Sequence, residues 1–210
     1  MTLDVWLIFS AAALVNIISP GPAILLAISN GVTHGMKSVT VSALGNVLGL
    51  FIISTVSMFG LGLLLQTSAI LFTALKFLGA GYLIYLGIKK IRSSDTPLVI
   101  EEQPKNTGNL QYFKQCKEAF FIAITNPKAI LFFVAFFPIF LDATAPLTPQ
   151  FMIMTFTFMV MSFMSLITYG YLGKSVRHWF KKARFIRAFH RATGGIFIGF
   201  GLVLIQIKNA

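Results

Sequence analysis

Residues Asn16 to Ser29 read NIISPGPAILLAIS, an oily helix interrupted by Ser19-Pro20-Gly21-Pro22. A proline has no N–H and leaves the carbonyl four residues earlier without its helical partner. Pro20 therefore frees the carbonyl of Asn16, and Pro22 frees that of Ile18. A second break, Asn126-Pro127-Lys128, frees the carbonyl of Ala123. Water would solvate such gaps, whereas in hydrocarbon each costs several kcal/mol unless another group fills it. The meaning of the stretch thus depends on which solvent surrounds it.

Composition answers that question. Hydrophobic residues make up 56% of the 210-residue chain and charged residues only 11%, against about a quarter in water-soluble domains. Six apolar runs cover roughly 5–28, 40–65, 69–88, 119–141, 150–173 and 192–207, most near the ~20 residues that cross a ~30 Å hydrocarbon layer. They predict an all-α integral membrane protein with six transmembrane helices in a single domain over 1–210. The first run follows Met1-Thr2-Leu3-Asp4, which lacks a basic start, so it is expected to stay as a helix and not be cleaved. The single cysteine, Cys116, excludes a disulfide framework, a Cys-x-x-Cys pair and a cysteine-rich metal site.

Charge sets the orientation. Of the 17 Lys and Arg residues, Lys37, six in 89–117 and seven in 174–191 fall on one side of a six-helix bundle, and Lys208 falls on the other. Basic residues resist translocation, so the first side is expected in the cytoplasm and both termini are extracytoplasmic. The formal charge of +11 is mainly this orientation signal and not a nucleic-acid surface. Trp179, Phe180, Phe185 and Phe189 interleave the last basic cluster, a pattern suited to an anionic lipid surface.

The polar stretch 93–111 divides the chain into halves of about 1–92 and 112–210. The halves echo each other: Pro20 to Leu26 (PGPAILL) aligns with Asn126 to Phe132 (NPKAILF), and Gly81 to Gly87 aligns with Gly195 to Gly201. Three helices per half require a 3+3 inverted repeat, the arrangement of many secondary transporters with interrupted helices. Strict inversion would put one break near each face, yet Pro20 and Pro127 each fall about eight residues, roughly 12 Å, from the same boundary. Either the fourth helix starts before residue 119 or the symmetry is loose.

Freed carbonyls suit an ammonium group, and the N–H groups that open the following half-helix suit a carboxylate. An amino-acid zwitterion carries both. Ala12, Asn16, Ser19, Pro20, Ala23, Ala27 and Asn30 share one face of the first helix; Ser38, Ser42, Gly45, Asn46 and Gly49 share one face of the second; Ala119, Ala123, Asn126 and Pro127 follow on the fourth. Such stripes face other helices and not lipid. Gly45-xxx-Gly49 and Gly195-xxx-Gly199 read as contact motifs, while Asn16, Asn46 and Asn126 read as cavity lining. Lys76 and Lys128 are ionisable groups inside apolar runs: functional candidates, or lysines snorkelling to a nearby helix end. Tyr82 and Tyr85 line a site or simply pack.

No Asp or Glu lies within a span, and the three histidines fall on the basic side. No zinc, phosphate-loop or nucleophile-elbow motif is present, so no enzyme, cofactor or resident metal is expected and transport would be gradient-driven. Proton coupling would then fall to Asp142, to a lysine of lowered pKa, or to another residue.

These residues resemble the lysine exporter (LysE/RhtB) family of bacterial amino-acid exporters. The resemblance rests on Ser19-Pro-Gly-Pro22, Gly45-x-x-x-Gly49, Lys76 to Gly87 (KFLGAGYLIYLG), Asn126-Pro-Lys128 with Phe-Phe-Pro138, and the closing Gly-x-x-x-Gly-x-Gly201, in order along nearly the whole chain. Asp142 departs from the family's apolar or proline-bearing pattern. The resemblance implies proton-driven export of threonine-, homoserine-, leucine- or lysine-type amino acids across the inner membrane, with motif positions Pro20, Gly21, Pro22, Asn126, Pro127 and Lys128. The expected substrate site is Asn16, Ser19, Pro20, Gly21, Pro22, Asn46, Lys76, Asn126, Pro127 and Lys128. Partners would be the amino acid, the lipid bilayer and a second copy in a homodimer. Export of a metal cation or osmolyte is the alternative.

Overall fold

The computed structural model describes residues 1–19, 21–67, 77, 80, 81, 84, 85, 87–89, 91, 92, 109–142, 144–173 and 183–206, and no strand occurs among them. The chain opens with α1 (Leu3–Ile18), α2 (Pro22–Thr33) and α3 (Met36–Thr67). After a stretch in which the described residues between 77 and 92 are helical come α4 (Asn109–Thr125), α5 (Pro127–Leu131), α6 (Leu147–Tyr171) and α7 (Ala183–Gln206).

Both predicted breaks are present. α1 and α2 meet at 59°, and the pair Leu110–Thr125 and Lys128–Phe140 bends by 51°. A residue that precedes proline is pushed out of the α region by the ring's Cδ. Ser19 (φ −64°, ψ 121°), Gly21 (φ −161°, ψ −177°) and Asn126 (φ −71°, ψ 110°) all stand before a proline and are all extended. Beyond α5 the chain runs through a π turn (Phe132–Phe136) and a 3-10 turn (Phe137–Phe140), so that the N–H of Phe137 reaches the carbonyl of Phe132 just before Pro138 removes a donor.

α3, over Met36–Phe59, and α6 are each long and apolar enough to cross a bilayer, and the two bent pairs raise the number to four. The expected third span lies mostly outside the described residues. The sixth corresponds to α7, whose early turns carry exposed Arg184, Arg187 and Arg191. α4 begins at Asn109, well before residue 119, so the second break lies near mid-depth of its bent helix, as the first does. The fourth helix thus starts ahead of the expected residue 119, because residues 109–118 are polar enough to hide a helix that packs against α3.

Contacts fix the relative directions. Gly45 abuts the carbonyl of Cys116 and Gly49 abuts Phe120 and Ala123, so α3 and α4 run the same way. Trp6 donates to Thr157 at 3.1 Å and Tyr169 reaches Ile18, so α1 and α6 are also parallel, whereas Val39 on Gly170 together with Asn46 beside Ser162 makes α3 and α6 antiparallel. Gly31 packs on the Gly170 carbonyl with no space for a Cβ, and a Cβ on Gly170 would meet Val39. Gly45 and Gly49 are contact residues as expected. Among the described residues Gly195 and Gly199 are not: a Cβ at either meets none of them within 4 Å, and Gly194 and Gly201 make the close approach to Gly87 and Ile84 instead.

The core is an aromatic layer. Phe9, Phe133 and Phe137 are fully buried, with the Phe9 and Phe137 rings edge-to-face at 5.7 Å and the Phe158 ring tilted by 37° against Phe132 at 4.9 Å. Leu7, Leu14, Val56, Phe59, Phe156 and Met164 face outward, the pattern of a surface that lipid covers.

Candidate functional site

The carbonyls freed at the two breaks each have a new partner. Lys128 Nζ donates to the Asn16 carbonyl at 2.8 Å and to the Ser19 carbonyl at 2.9 Å. The Tyr169 hydroxyl donates to the Ile18 carbonyl at 3.0 Å. The Asn126 N–H donates to the Ala123 carbonyl at 3.2 Å. The helix ends are thus stitched together by side chains from distant elements, as hydrocarbon surroundings demand.

Between the two breaks lies a hollow of about 40 Å³, lined by Asn16, Gly21, Ala23, Asn46, Asn126 and Lys128 with Phe158, Ser162 and Ser165 of α6. That is far below the ~300 Å³ of ordinary small-molecule sites, so the hollow holds little more than water-sized space. Lys128 carries its only formal charge among the described lining residues. Asn16, Ser19 and Asn46 are buried. Ser162 Oγ stands 3.4 Å from Asn46 Oδ1, while the buried hydroxyls of Ser19 and Ser165 have no partner among the described residues.

The two half-helix starts differ. α2 opens at Gly21 with no side-chain cap, and Ala23 and Ile24 of its first turn line the hollow. The short α5 is capped by its own Asn126, whose Oδ1 accepts the Lys128 backbone N–H at 3.1 Å. Among the described residues the first start has no side-chain cap, and the second is already satisfied.

The structure brings Asn16, Gly21, Asn46, Asn126 and Lys128 around one space. Ser19 sits at its edge through its carbonyl, Pro22 opens α2, and Pro127 opens α5. Pro20 and Lys76 lie outside the described residues, as does Tyr82. Tyr85 is exposed, with Lys89 Nζ 5.9 Å from its ring centroid. Asp142 is exposed, and its carboxylate accepts the Thr144 hydroxyl at 2.6 Å and N–H at 2.9 Å. Those bonds, the hydroxyl first, hold its pKa below the ordinary carboxylate value, so it stays ionised near neutrality. It acts as a turn residue between Phe140 and Leu147, braced by Gln150, whose Oε1 accepts the Asp142 N–H at 2.9 Å.

Sequence reasoning missed Tyr169, Ser162 and Ser165. Their signal was a polar stripe in an otherwise apolar helix, with 162, 165 and 169 at helical spacing. It also missed Gln115, buried on α4 and bonded through Oε1 to the Ser38 hydroxyl.

Paired broken helices around a small polar hollow, with helices long and apolar enough to cross a membrane, are the architecture that many membrane translocators share. The profile of the LysE type translocator family matches residues 14–207, and the chain belongs to that family. Among its relatives, a membrane protein of Vibrio cholerae is 30% identical over 208 residues, 99% of this chain and 100% of the relative. The homoserine/homoserine lactone efflux proteins of Salmonella typhi and Salmonella typhimurium are each 30% identical over 211 residues, the full length of both chains. No solved structure matches.

Proposed function

We propose that this chain is a secondary active exporter of small amino acids, of threonine, homoserine, leucine or lysine type, driven by proton antiport across the inner membrane. Six helices in a 3+3 inverted repeat with both termini extracytoplasmic carry out the transport, and a homodimer through small-residue seams belongs to the same reading. One observation carries it: two proline breaks from distant parts of the chain face a single polar hollow. The α-carboxylate of a zwitterion suits the uncapped start of α2 at Ala23 and Ile24, and its ammonium suits the carbonyls of α1. Homoserine and homoserine lactone, the compounds in the relatives' names, share that ammonium next to a carbonyl carbon. A metal cation fits less well, because the described lining offers it a lysine ammonium and no carboxylate.

The test is efflux of radiolabelled amino acids from loaded cells that overproduce the protein, with and without a proton uncoupler. Faster loss of at least one amino acid, abolished by the uncoupler, is expected. Pro22→Ala and Asn126→Ala are each expected to abolish that efflux while the protein still reaches the membrane. Normal efflux in both variants would move the site away from the breaks.

A further inference from the structure

We propose that the carbonyls of Asn16 and Ser19 form an ammonium subsite for which the substrate's amino group and the Lys128 side chain compete, with Lys128 giving up a proton when displaced. This rests on the amino-acid reading above. At 2.8 and 2.9 Å the carbonyl pair already holds one primary ammonium, and a substrate ammonium has the same head, charge and donors. The hollow of about 40 Å³ has no space for an amino acid as it stands. Its most adjustable wall is Lys128, a flexible unbranched side chain that withdraws without any helix moving. Gly21 leaves the other flank open, since even a Cβ there would stand 3.7 Å from Nζ.

Charge decides what happens to the lysine. Two ammonium groups cannot share one carbonyl pair in a low-dielectric space, and no carboxylate among the described lining residues offsets the second. The other groups facing the hollow are neutral amides and hydroxyls: Asn46 from α3, Asn126 beside the second break, and Ser162 and Ser165 from α6. Tyr169, on the Ile18 carbonyl, is the other titratable group bonded at the first break among the described residues.

The exchange balances as follows. Substrate ammonium enters, an N–H bond of Lys128 breaks, and the proton leaves to water on the side the substrate came from. Lys128 remains as a neutral amine. On the far side a proton from water re-forms the lysine ammonium, which retakes the carbonyls and expels the substrate. No bond of the substrate changes, and a proton moves inward for each molecule moved outward.

Full-length protein in weakly buffered detergent is titrated with L-homoserine, and with L-threonine and L-leucine in parallel, while proton release is recorded; uptake driven by a pH gradient is followed in proteoliposomes. The wild type is expected to release a proton for each molecule bound. L-homoserine lactone should compete with L-homoserine, and 4-hydroxybutanoate, which lacks the amine, should not. Lys128→Gln keeps an amide donor for the carbonyls but carries no titrating proton, and it should lose proton release and gradient-driven accumulation. Lys128→Arg, permanently charged, should weaken binding roughly tenfold or more. Should the variants fail to fold, the wild-type proton count and the competitor pair decide alone. Binding without proton release, competition by 4-hydroxybutanoate, or undiminished gradient coupling in Lys128→Gln overturns the exchange but leaves amino-acid export standing. A wild type that binds and moves no amino acid overturns both.

Discussion

Tyr169 closes with one hydroxyl the gap that Pro22 opens at Ile18, and it does so from the far end of α6. Replacing it by phenylalanine keeps the ring and removes the donor, which leaves the Ile18 carbonyl unpaired at membrane depth. Tyr169→Phe is expected to lower stability by about 0.5–2 kcal/mol, read as a drop in the thermal midpoint in detergent. An unchanged midpoint would mean that another group serves this carbonyl. Lys128 is the same device with a charge on it, and the charge turns a structural patch into a candidate moving part. Proline positions announce which carbonyls are freed. They do not announce the donors, because Lys128 lies 112 residues from Asn16 and Tyr169 lies 151 from Ile18.

Helices here approach closely where glycine allows it. On α3, Gly45 lets the backbone of α4 come so near that a Cβ would overlap the Cys116 carbonyl oxygen. Gly45→Ala therefore forces the two helices apart at a backbone atom, which cannot rotate away as a side chain end could. A loss of about 1–3 kcal/mol is expected, visible as a lowered melting temperature and reduced membrane yield. Gly199→Ala, on a face where a Cβ meets nothing among the described residues, serves as the silent comparison. Both glycine pairs looked alike in sequence, since a four-residue spacing says that a seam is possible and not which neighbour arrives. α4 shows the opposite failure: its first ten residues are too polar to stand out in a search for oily runs, yet they pack along α3 through Gln115 and Cys116.

At the scale of the molecule, the contact registers leave one end of the bundle with the α2–α3 turn, the start of α4 and the end of α6, where Lys37, Lys114 and Lys117 are exposed. The other end has the start of α1 and the Asp142 turn. The proposed orientation puts the first end in the cytoplasm. In a Cys116→Ser background, Asp4→Cys and Thr144→Cys should react with a membrane-impermeant maleimide added to intact cells, and Lys114→Cys should react only after lysis. The reverse pattern would invert the topology and, with it, the direction of the proposed proton exchange.

The amino-acid sequence alone determined the solvent, the helical class, the position of both breaks and the identity of the freed carbonyls. Those follow from local covalent facts: apolar side chains in long runs, and a proline ring that lacks an N–H and crowds the residue before it. The tertiary structure alone decided that the two breaks share one hollow, and that Lys128 and Tyr169 fill the gaps. Those depend on which helices meet and at what height, a property of packing between segments more than a hundred residues apart, on which no local rule acts.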